Sequence, residues 1–421
     1  MNEKYPRREF IRRSLASGAA LSIGQVTKRR NVNEKIGVAF IGVGGQGQYN
    51  LTEFIKNPLC RVVALCDVYG PNLQKASNIL KSKVALESDF RRLLDRKEVD
   101  AVIISTPDHW HALPAVMACK AGKDVYVEKP LALTIAEGHA IMDAAGQYGR
   151  VVQVGMQQRS GSHFQEVVET IRSGTLGKVS RVETWVTGGT KDLGYPPDQP
   201  SPADLDWEMW LGPAAERPYN PARCLYNFRW FWDYAGGQMS NWGVHLLDIG
   251  RWAMDVKMPT RVTASGGIRL SHDCRETPDT LDVTFSYPGV MMSFHHRLVE
   301  EPLFDGEHSY GIRFVGENGV LFVDREGWHI TPPGAKAPSE VHKGSDQHPA
   351  HVRNFLECVH TRKKTAADVE TGHTSSAMCH LGNLAYRYGG ALSWDEKTNT
   401  ITDNPRAAIA LSVNYREPWR L

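Results

Sequence analysis

The chain lacks any C-x-x-C pair, and its seven cysteines are an odd number. No disulfide framework and no zinc signature can be read from them. Cys60, Cys66 and Cys119 fall in predicted strand or helix positions, where a buried thiol serves as a small apolar side chain. A long basic run is also missing, and the net charge is only +2, which argues against nucleic acid as the main partner. His295-His296 and His109 with His111 have no carboxylate or cysteine at ligand spacing, so no metal site is expected. Internal repeats and long low-complexity segments are absent. What remains is a chain of 421 residues, long enough for two domains with full cores.

The most informative stretch is Ile36 to Gly47. An apolar run rich in β-branched residues reads as a buried strand, and it ends in glycines spaced G-x-G-x-x-G. Gly42 permits the tight turn, Gly44 lets the backbone approach a pyrophosphate, and Gly47 lets the next helix pack on the strand. Gly45 and Gln46 open that helix, whose free N–H groups and positive dipole end face the anion. A second apolar run, Arg61 to Cys66, ends in Asp67, 20 residues past Gly47. An acid there binds adenosine ribose hydroxyls and repels the extra phosphate of NADP, and no arginine follows directly, so NAD is the expected cofactor. The bland alternative is a surface Asp capping the helix after Pro71.

The β–α alternation continues. Ala101–Ser105 is a continuous apolar run, as in a parallel strand covered on both faces. It leads into Thr106-Pro107-Asp108-His109-Trp110-His111 and a helix reaching Gly122. Asp124–Val127 is a further strand closed by Glu128-Lys129-Pro130, followed by a helix over about Thr134–Tyr148 and a strand at Val151–Val154. This predicts an α/β, doubly wound six-strand Rossmann domain over 31–155, with its ligand at the carboxyl ends of the strands. Residues 156–421 read as an α+β domain with an open-faced, mainly antiparallel sheet. Its runs are 179–186, 261–270, 281–286, 290–298, 311–315 and 320–323, with helices near 242–254, 350–360 and 372–388.

Two clusters carry candidate chemistry. Lys129 sits at a strand's carboxyl end beside the cofactor crevice, aimed by the X-Pro bond that follows, and can polarise a carbinol oxygen and share its proton relay. Asn241, His245 and Asp248 follow one another at spacings of four and three and can share a helix face. His245 is the candidate general base. Asn241 can orient a substrate or simply cap the helix. Gln158, Arg159, Trp185, Trp232, Tyr234, Asn241 and His245 are the candidate substrate contacts, since aromatic faces suit the C–H patches of a pyranose while the polar groups bind hydroxyls. Half or more of the aromatics are expected to be core.

The glycine motif, Asp67, Thr106-Pro107 with His111, Glu128-Lys129-Pro130 and the Gly236-Gly237…Asn241…His245…Asp248 cluster occur in that order. Together they resemble the glucose–fructose oxidoreductase / inositol dehydrogenase / rhizopine-catabolism family (Gfo/Idh/MocA), over nearly all of the chain after residue 33. The resemblance implies a Rossmann domain plus an open-sheet domain, nicotinamide redox chemistry, sugar or cyclitol substrates, and a homodimer or homotetramer. By position, Lys129 and His245 match the family's catalytic lysine and histidine, and Thr106, Pro107, His111 and Glu128 join the cofactor-binding set. Family dehydrogenases commonly carry Asp where this chain has Asn241, and an amide cannot accept a proton as a carboxylate does.

The resulting expectation is an NAD-dependent oxidoreductase acting on a sugar, glycoside or cyclitol hydroxyl. The alternative is a redox-neutral, NAD-retaining glycosidase or lyase working by oxidation, elimination and reduction, with an extra base among His109, His111, His163 and Tyr234. A non-catalytic nicotinamide-binding protein is the weakest reading. The first 30 residues bear on location. Arg7-Arg8, Phe10-Ile11 and the mildly apolar Ser14–Gly24 resemble a twin-arginine export signal, which predicts a periplasmic protein holding its cofactor tightly. Ser14–Gly24 is too short for a stable membrane span. The other reading is a disordered basic tail on a cytoplasmic protein.

Overall fold

The computed structural model describes residues 34–189, 192–300, 304, 308–338 and 340–421. The twin-arginine-like stretch lies outside the described residues. Six parallel strands form the first sheet: β1 (Ile36–Ile41), β2 (Cys60–Cys66), β3 (Ala85–Glu87), β4 (Ala101–Ile104), β5 (Asp124–Val127) and β6 (Val152–Val154), in the order β3-β2-β1-β4-β5-β6. They alternate with helices α1 (Gly45–Phe54), α2 (Gly70–Ile79), α3 (Arg91–Leu94), α4 (Ala112–Lys120) and α5 (Ile135–Tyr148). Every residue of β1 is buried, which is why its sequence is continuously apolar: helices cover both faces of the sheet. α5 shows how local sequence sets an element. Thr134 and Glu137 form a capping box at its start, and Gly149 closes it in the left-handed region at φ 59°.

The second sheet has ten strands: β7 (Val179–Thr187), β8 (Arg261–Gly267), β9 (Thr280–Tyr287), β10 (Val290–Arg297), β11 (Tyr310–Gly316), β12 (Gly319–Val323), β13 (Gly327–Thr331), β14 (Val341–Lys343), β15 (Ala391–Asp395) and β16 (Thr400–Ile401). β7 and β10 pair parallel and its other pairings are antiparallel. Along β9 the residues alternate half-buried and buried, the mark of a sheet covered on one face. The covering helices are α6 (Ser162–Arg172), α8 (Val244–Met254) and α10 (Val369–Tyr388). α7 (Trp207–Leu211) lies in the irregular stretch before α8, α9 (Gln347–Thr361) precedes α10, and α11 (Pro405–Ile409) ends the series.

Four strands of the second sheet were not expected from sequence, and β3, the sixth strand of the first, was counted but not located. β13 and β14 are short, and β15 and β16 follow the Gly389-Gly390 stop, as does α11. Each is too brief to show a period of its own and exists by pairing with a neighbour. A second difference concerns α9. Its Val352, Phe355, Leu356 and Val359 pack in one cluster with Ile36, Phe40, Phe54 and Tyr126 of the first domain. Tyr126 and Phe54 meet Phe355 edge-on at 5.7 and 6.2 Å. The parallel sheet's second face is therefore completed by a helix from far along the chain.

Candidate active site

β1 runs into the glycine turn at the carboxyl edge of the sheet. Gly42 has φ 81°, and a Cβ there would lie 2.8 Å from the backbone of Ser105 and Thr106, so both conformation and space demand glycine. A Cβ on Gly47 would fall 2.1 Å from the Gly42 carbonyl oxygen, which is the close helix–strand approach expected of that position. Gly44 and Gly45 differ. A Cβ on Gly44 would meet only the Asn72 amide at 3.5 Å, and one on Gly45 nothing within 4 Å. Protein packing leaves that surface open.

Asp67 follows β2 and is buried. Its Oδ2 accepts from the Val43 N–H at 2.8 Å and Asn72 Nδ2 at 3.3 Å, and its Oδ1 from the Tyr69 N–H at 2.9 Å. Burial raises its pKa, while the hydrogen bonds from Tyr69 and Val43 oppose that rise. Thr106 lines the same cleft with a buried hydroxyl that has no hydrogen-bond partner. An open cradle, a helix start with no side-chain cap, an orphaned hydroxyl and a carboxylate at the end of β2 together fit a bound NAD.

Glu128 is buried beside this turn, and its Oε1 accepts from Asn50 Nδ2 at 2.9 Å, Gln157 Nε2 at 3.2 Å and Gln46 Nε2 at 3.3 Å. The next residue, Lys129, donates from Nζ to the backbone oxygen and to Oδ1 of Asn241, both at 2.9 Å, and the Lys129–Pro130 bond is cis. Burial, with Arg229 nearby, lowers the Lys129 pKa to about 8. Asn241 lies inside a π-helical turn, Met239–Gly243, and caps no helix; its Nδ2 donates to Gln238 Oε1 at 3.1 Å. Four residues on, His245 is buried with Nδ1 unpartnered, and burial together with Lys129 and Arg325 holds its pKa well below 6.5. Asn241 and His245 line the cleft. Asp248 does not: it pairs with Arg159 at 2.6 Å and accepts from Ser375.

The cleft, of about 500 Å³, brings together Gly42, Gly44, Gly45, Gln46, Asp67, Thr106, Pro107, Glu128, Lys129, Asn241 and His245. Other expected contacts lie elsewhere. His111 sits behind the wall, its Nδ1 2.7 Å from the Pro130 carbonyl and its Nε2 3.0 Å from that of Thr106. Burial drives its pKa to about 4, so the neutral ring donates to one carbonyl and braces the two loops. Gln158 is buried with its amide unpartnered, and Arg159 is committed to Asp248. Trp185 is fully buried in β7, donating to the His308 carbonyl. Trp232 donates to the Glu276 carbonyl and lines a separate cavity, and Tyr234 packs against Trp210 in a core of its own. Of the four proposed extra bases, His109, His111, His163 and Tyr234, none is among the cleft-lining residues.

Sequence reasoning missed several residues that are there. Asp108, in the turn after β4, has a pKa raised to about 7 by burial, opposed by Lys129 and Arg229. Gln157 and Arg325 also face the cleft. Asp108 and Gln157 each neighbour a residue that was named, so only the phase of a short turn separated the two choices.

Two protein-family models match the chain. One, described as an oxidoreductase family with an NAD-binding Rossmann fold, matches residues 36–156; the other, the C-terminal alpha/beta domain of an oxidoreductase family, matches 177–286 and 305–421. An alpha-N-acetylgalactosaminidase of Shewanella oneidensis is 32% identical over 154 residues, which is 35% of this chain and 34% of the relative. A glycosyl hydrolase family 109 protein of Shewanella baltica is 31% identical over 165 residues, 37% of this chain and 35% of that protein. The similarity thus spans about a third of these relatives' length. The WlbA dehydrogenase of Bordetella pertussis, solved with NADH and UDP-GlcNAcA, superposes with a TM-score of 0.67 at 21% identity, covering 86% of this chain and 99% of that one. A levoglucosan dehydrogenase in complex with NADH and levoglucosan gives 0.67 at 16% identity, covering 86% and 99%. At these identities the likeness is one of fold.

Proposed function

Because the chain belongs to the Gfo/Idh/MocA oxidoreductase family and is an NAD-dependent oxidoreductase with an NAD-binding first domain, we propose that it oxidises a hydroxyl of a sugar, glycoside or cyclitol. One observation carries the reading: Lys129 Nζ donates two hydrogen bonds to one residue, Asn241, in the cleft that also contains His245. When bound, NAD supplies the hydride acceptor. A lysine ammonium has three donors. With two committed to Asn241, the third position on nitrogen faces the substrate oxygen, as an N–H in the ammonium and as the lone pair in the neutral amine. Both acceptors on Asn241 are uncharged, so they orient the amine while stabilising its charge less than a carboxylate would. With a pKa of about 8, Lys129 becomes the neutral amine as pH rises through that value, and in that form its lone pair takes the hydroxyl proton. His245 stays neutral and offers a ring nitrogen to the same hydroxyl. The role of base, given to His245 from sequence, passes to Lys129 on this ground.

The redox-neutral alternative keeps one specific support. A carboxyl with a pKa of about 7, Asp108, is the kind of acid–base group that elimination from a transient ketone requires. The N-terminal sequence supports export of the folded, cofactor-loaded protein. The same proposal includes a dimer or tetramer joined across the outer face of the second sheet, where β9 leaves alternate side chains half-exposed.

Denaturing the protein as purified and measuring released nicotinamide dinucleotide by mass spectrometry, before and after incubation with sugars and glycosides, tests these readings. Retained cofactor that a sugar reduces, and only a second carbonyl compound reoxidises, is the expected result. Retained cofactor with glycoside cleavage and no net reduction would select the redox-neutral cycle. An empty protein active only with added NAD would remove the exported, cofactor-retaining reading.

A further inference from the structure

Arginines withdrawn from water in this protein generally sit on carboxylates. Arg159 meets Asp248 at 2.6 Å, Arg275 meets Asp273 at 2.6 Å, and Arg313 meets Glu183 at 3.4 Å. Two half-buried arginines of the cleft, Arg325 and Arg229, have no such carboxylate. Arg325, just after β12, stacks its guanidinium 4.8 Å from the Trp242 ring, and its buried Nε has no hydrogen-bond partner. The adjacent carboxylate cannot serve it. Asp324 Oδ1 accepts from the N–H groups of Glu326 and Gly327, and its Oδ2 lies 3.9 Å from His308. Arg229 donates to the Tyr226 carbonyl at 2.7 Å and lies over the Tyr226 and Phe228 rings at 4.3 and 4.6 Å. Among the described residues, no carboxylate pairs with either.

Both arginines line the cleft of Lys129 and His245, and both charges act on Lys129. The acids of the cleft form no ion pair with them. Asp67 is bound by Val43, Tyr69 and Asn72 at the adenosine end, Glu128 is surrounded by three side-chain amides, and Asp108, which feels the charges of Lys129 and Arg229, has a pKa raised to about 7 by burial and so offsets them only in part. A partly buried guanidinium with no counter-charge is costly, and the cost is recovered when a ligand brings the missing charge. The planar fork of arginine matches carboxylate and phosphate oxygens in pairs, as an alcohol cannot.

We propose that the substrate is an anionic sugar, its carboxylate or phosphate seated on Arg325 beside Trp242, with Arg229 supplying a second positive charge. The inference rests on reading the cleft as a site of sugar oxidation and narrows its substrate class. It also gives Asn241 a rationale: with an anion arriving beside Lys129, a second fixed carboxylate at 241 would repel it.

Calorimetric titration of the NAD-loaded protein with glucuronate, galacturonate and glucose 6-phosphate, each against its neutral counterpart glucose or galactose, tests this without requiring turnover. At least one anionic sugar is expected to bind about tenfold or more tightly than its neutral counterpart, with affinity falling as salt is raised. Whether the uronates or the phosphate ester win identifies the anion. Arg325→Gln is expected to abolish the preference, weakening the anion about thirtyfold or more and the neutral sugar little. Arg325→Lys, which keeps the charge and loses the fork, should restore part of it, and Arg229→Gln should cost less than Arg325→Gln. Equal binding of anionic and neutral sugars would overturn the proposal. So would an Arg325→Gln protein that loses NAD instead, since Arg325 would then belong to the cofactor phosphates. Anion preference without any reduction of cofactor would retire sugar oxidation and leave this inference standing; reduction by neutral sugars without anion preference would do the reverse.

Discussion

The two walls of the cleft are built differently. On the cofactor side, the acids arrive already satisfied: Asp67 by Val43, Tyr69 and Asn72, and Glu128 by Asn50, Gln46 and Gln157. On the other side the polar groups wait. His245 Nδ1 and Arg325 Nε have no partner. A wall whose acids are already held holds one shape for a ligand common to a whole family. A wall with unmet donors and charges is completed by its substrate, and it is where related chains can differ.

The strongest break in this comparison is Lys129→Ala. It should lower turnover by about a hundredfold or more while leaving NAD affinity nearly unchanged, checked by steady-state kinetics beside cofactor titration. Unaltered turnover would take Lys129 out of the mechanism. Asp67→Ala strikes the satisfied wall and should act in the opposite sense, weakening NAD about tenfold and leaving the pH dependence of turnover alone. It also strands the Val43 N–H, so a lower melting temperature should accompany it.

Asn241→Asp sharpens the contrast by adding a charge to the waiting wall. A carboxylate in place of the amide oxygen 2.9 Å from Nζ should raise the Lys129 pKa by about one unit or more. Oxidation needs the neutral amine, so wild-type turnover should rise with pH through about 8, and in the variant that rise should move to higher pH. A coincident pair of profiles would exclude Lys129 as the titrating base.

Asp108→Asn is the smallest effect. In the folded wild type this carboxyl titrates near 7, against 3.8 when free. Folding therefore favours the protonated form, and wild-type stability falls as pH rises from about 3.8 to 7. The uncharged amide escapes that loss. The variant should match the wild type near pH 4 and exceed it above pH 7 by on the order of 1 kcal/mol in chemical denaturation.

Where the chain could be read directly, the reason was local. The parallel strands announce themselves because burial on both faces requires unbroken apolar runs, and the glycine turn because Gly42 and Gly47 have no room for a Cβ. Lys129 was legible from Glu128-Lys129-Pro130 at a strand end. Trp185, Trp232 and Tyr234 were not, since an aromatic side chain suits a core and a sugar platform equally; the apolar cluster around Trp210, Trp230 and Phe231 claims Tyr234 for the core. Arg159 and Asp248 lie 89 residues apart, and their ion pair has no trace in the local pattern.

The amino-acid order by itself determined the alternation of strand and helix in the first domain, the phosphate-facing turn, Asp67, Lys129 and the family these define, because each depends on neighbours within a few residues. Tertiary structure alone decided which of Asp108 and His109, or Gln157 and Gln158, faces the cleft, and that α9 closes the first domain's core. It alone also left Arg325 without an acid. These outcomes depend on which distant surfaces come together, and a one-residue change of phase in a turn exchanges the facing side chain without altering any pattern the sequence displays.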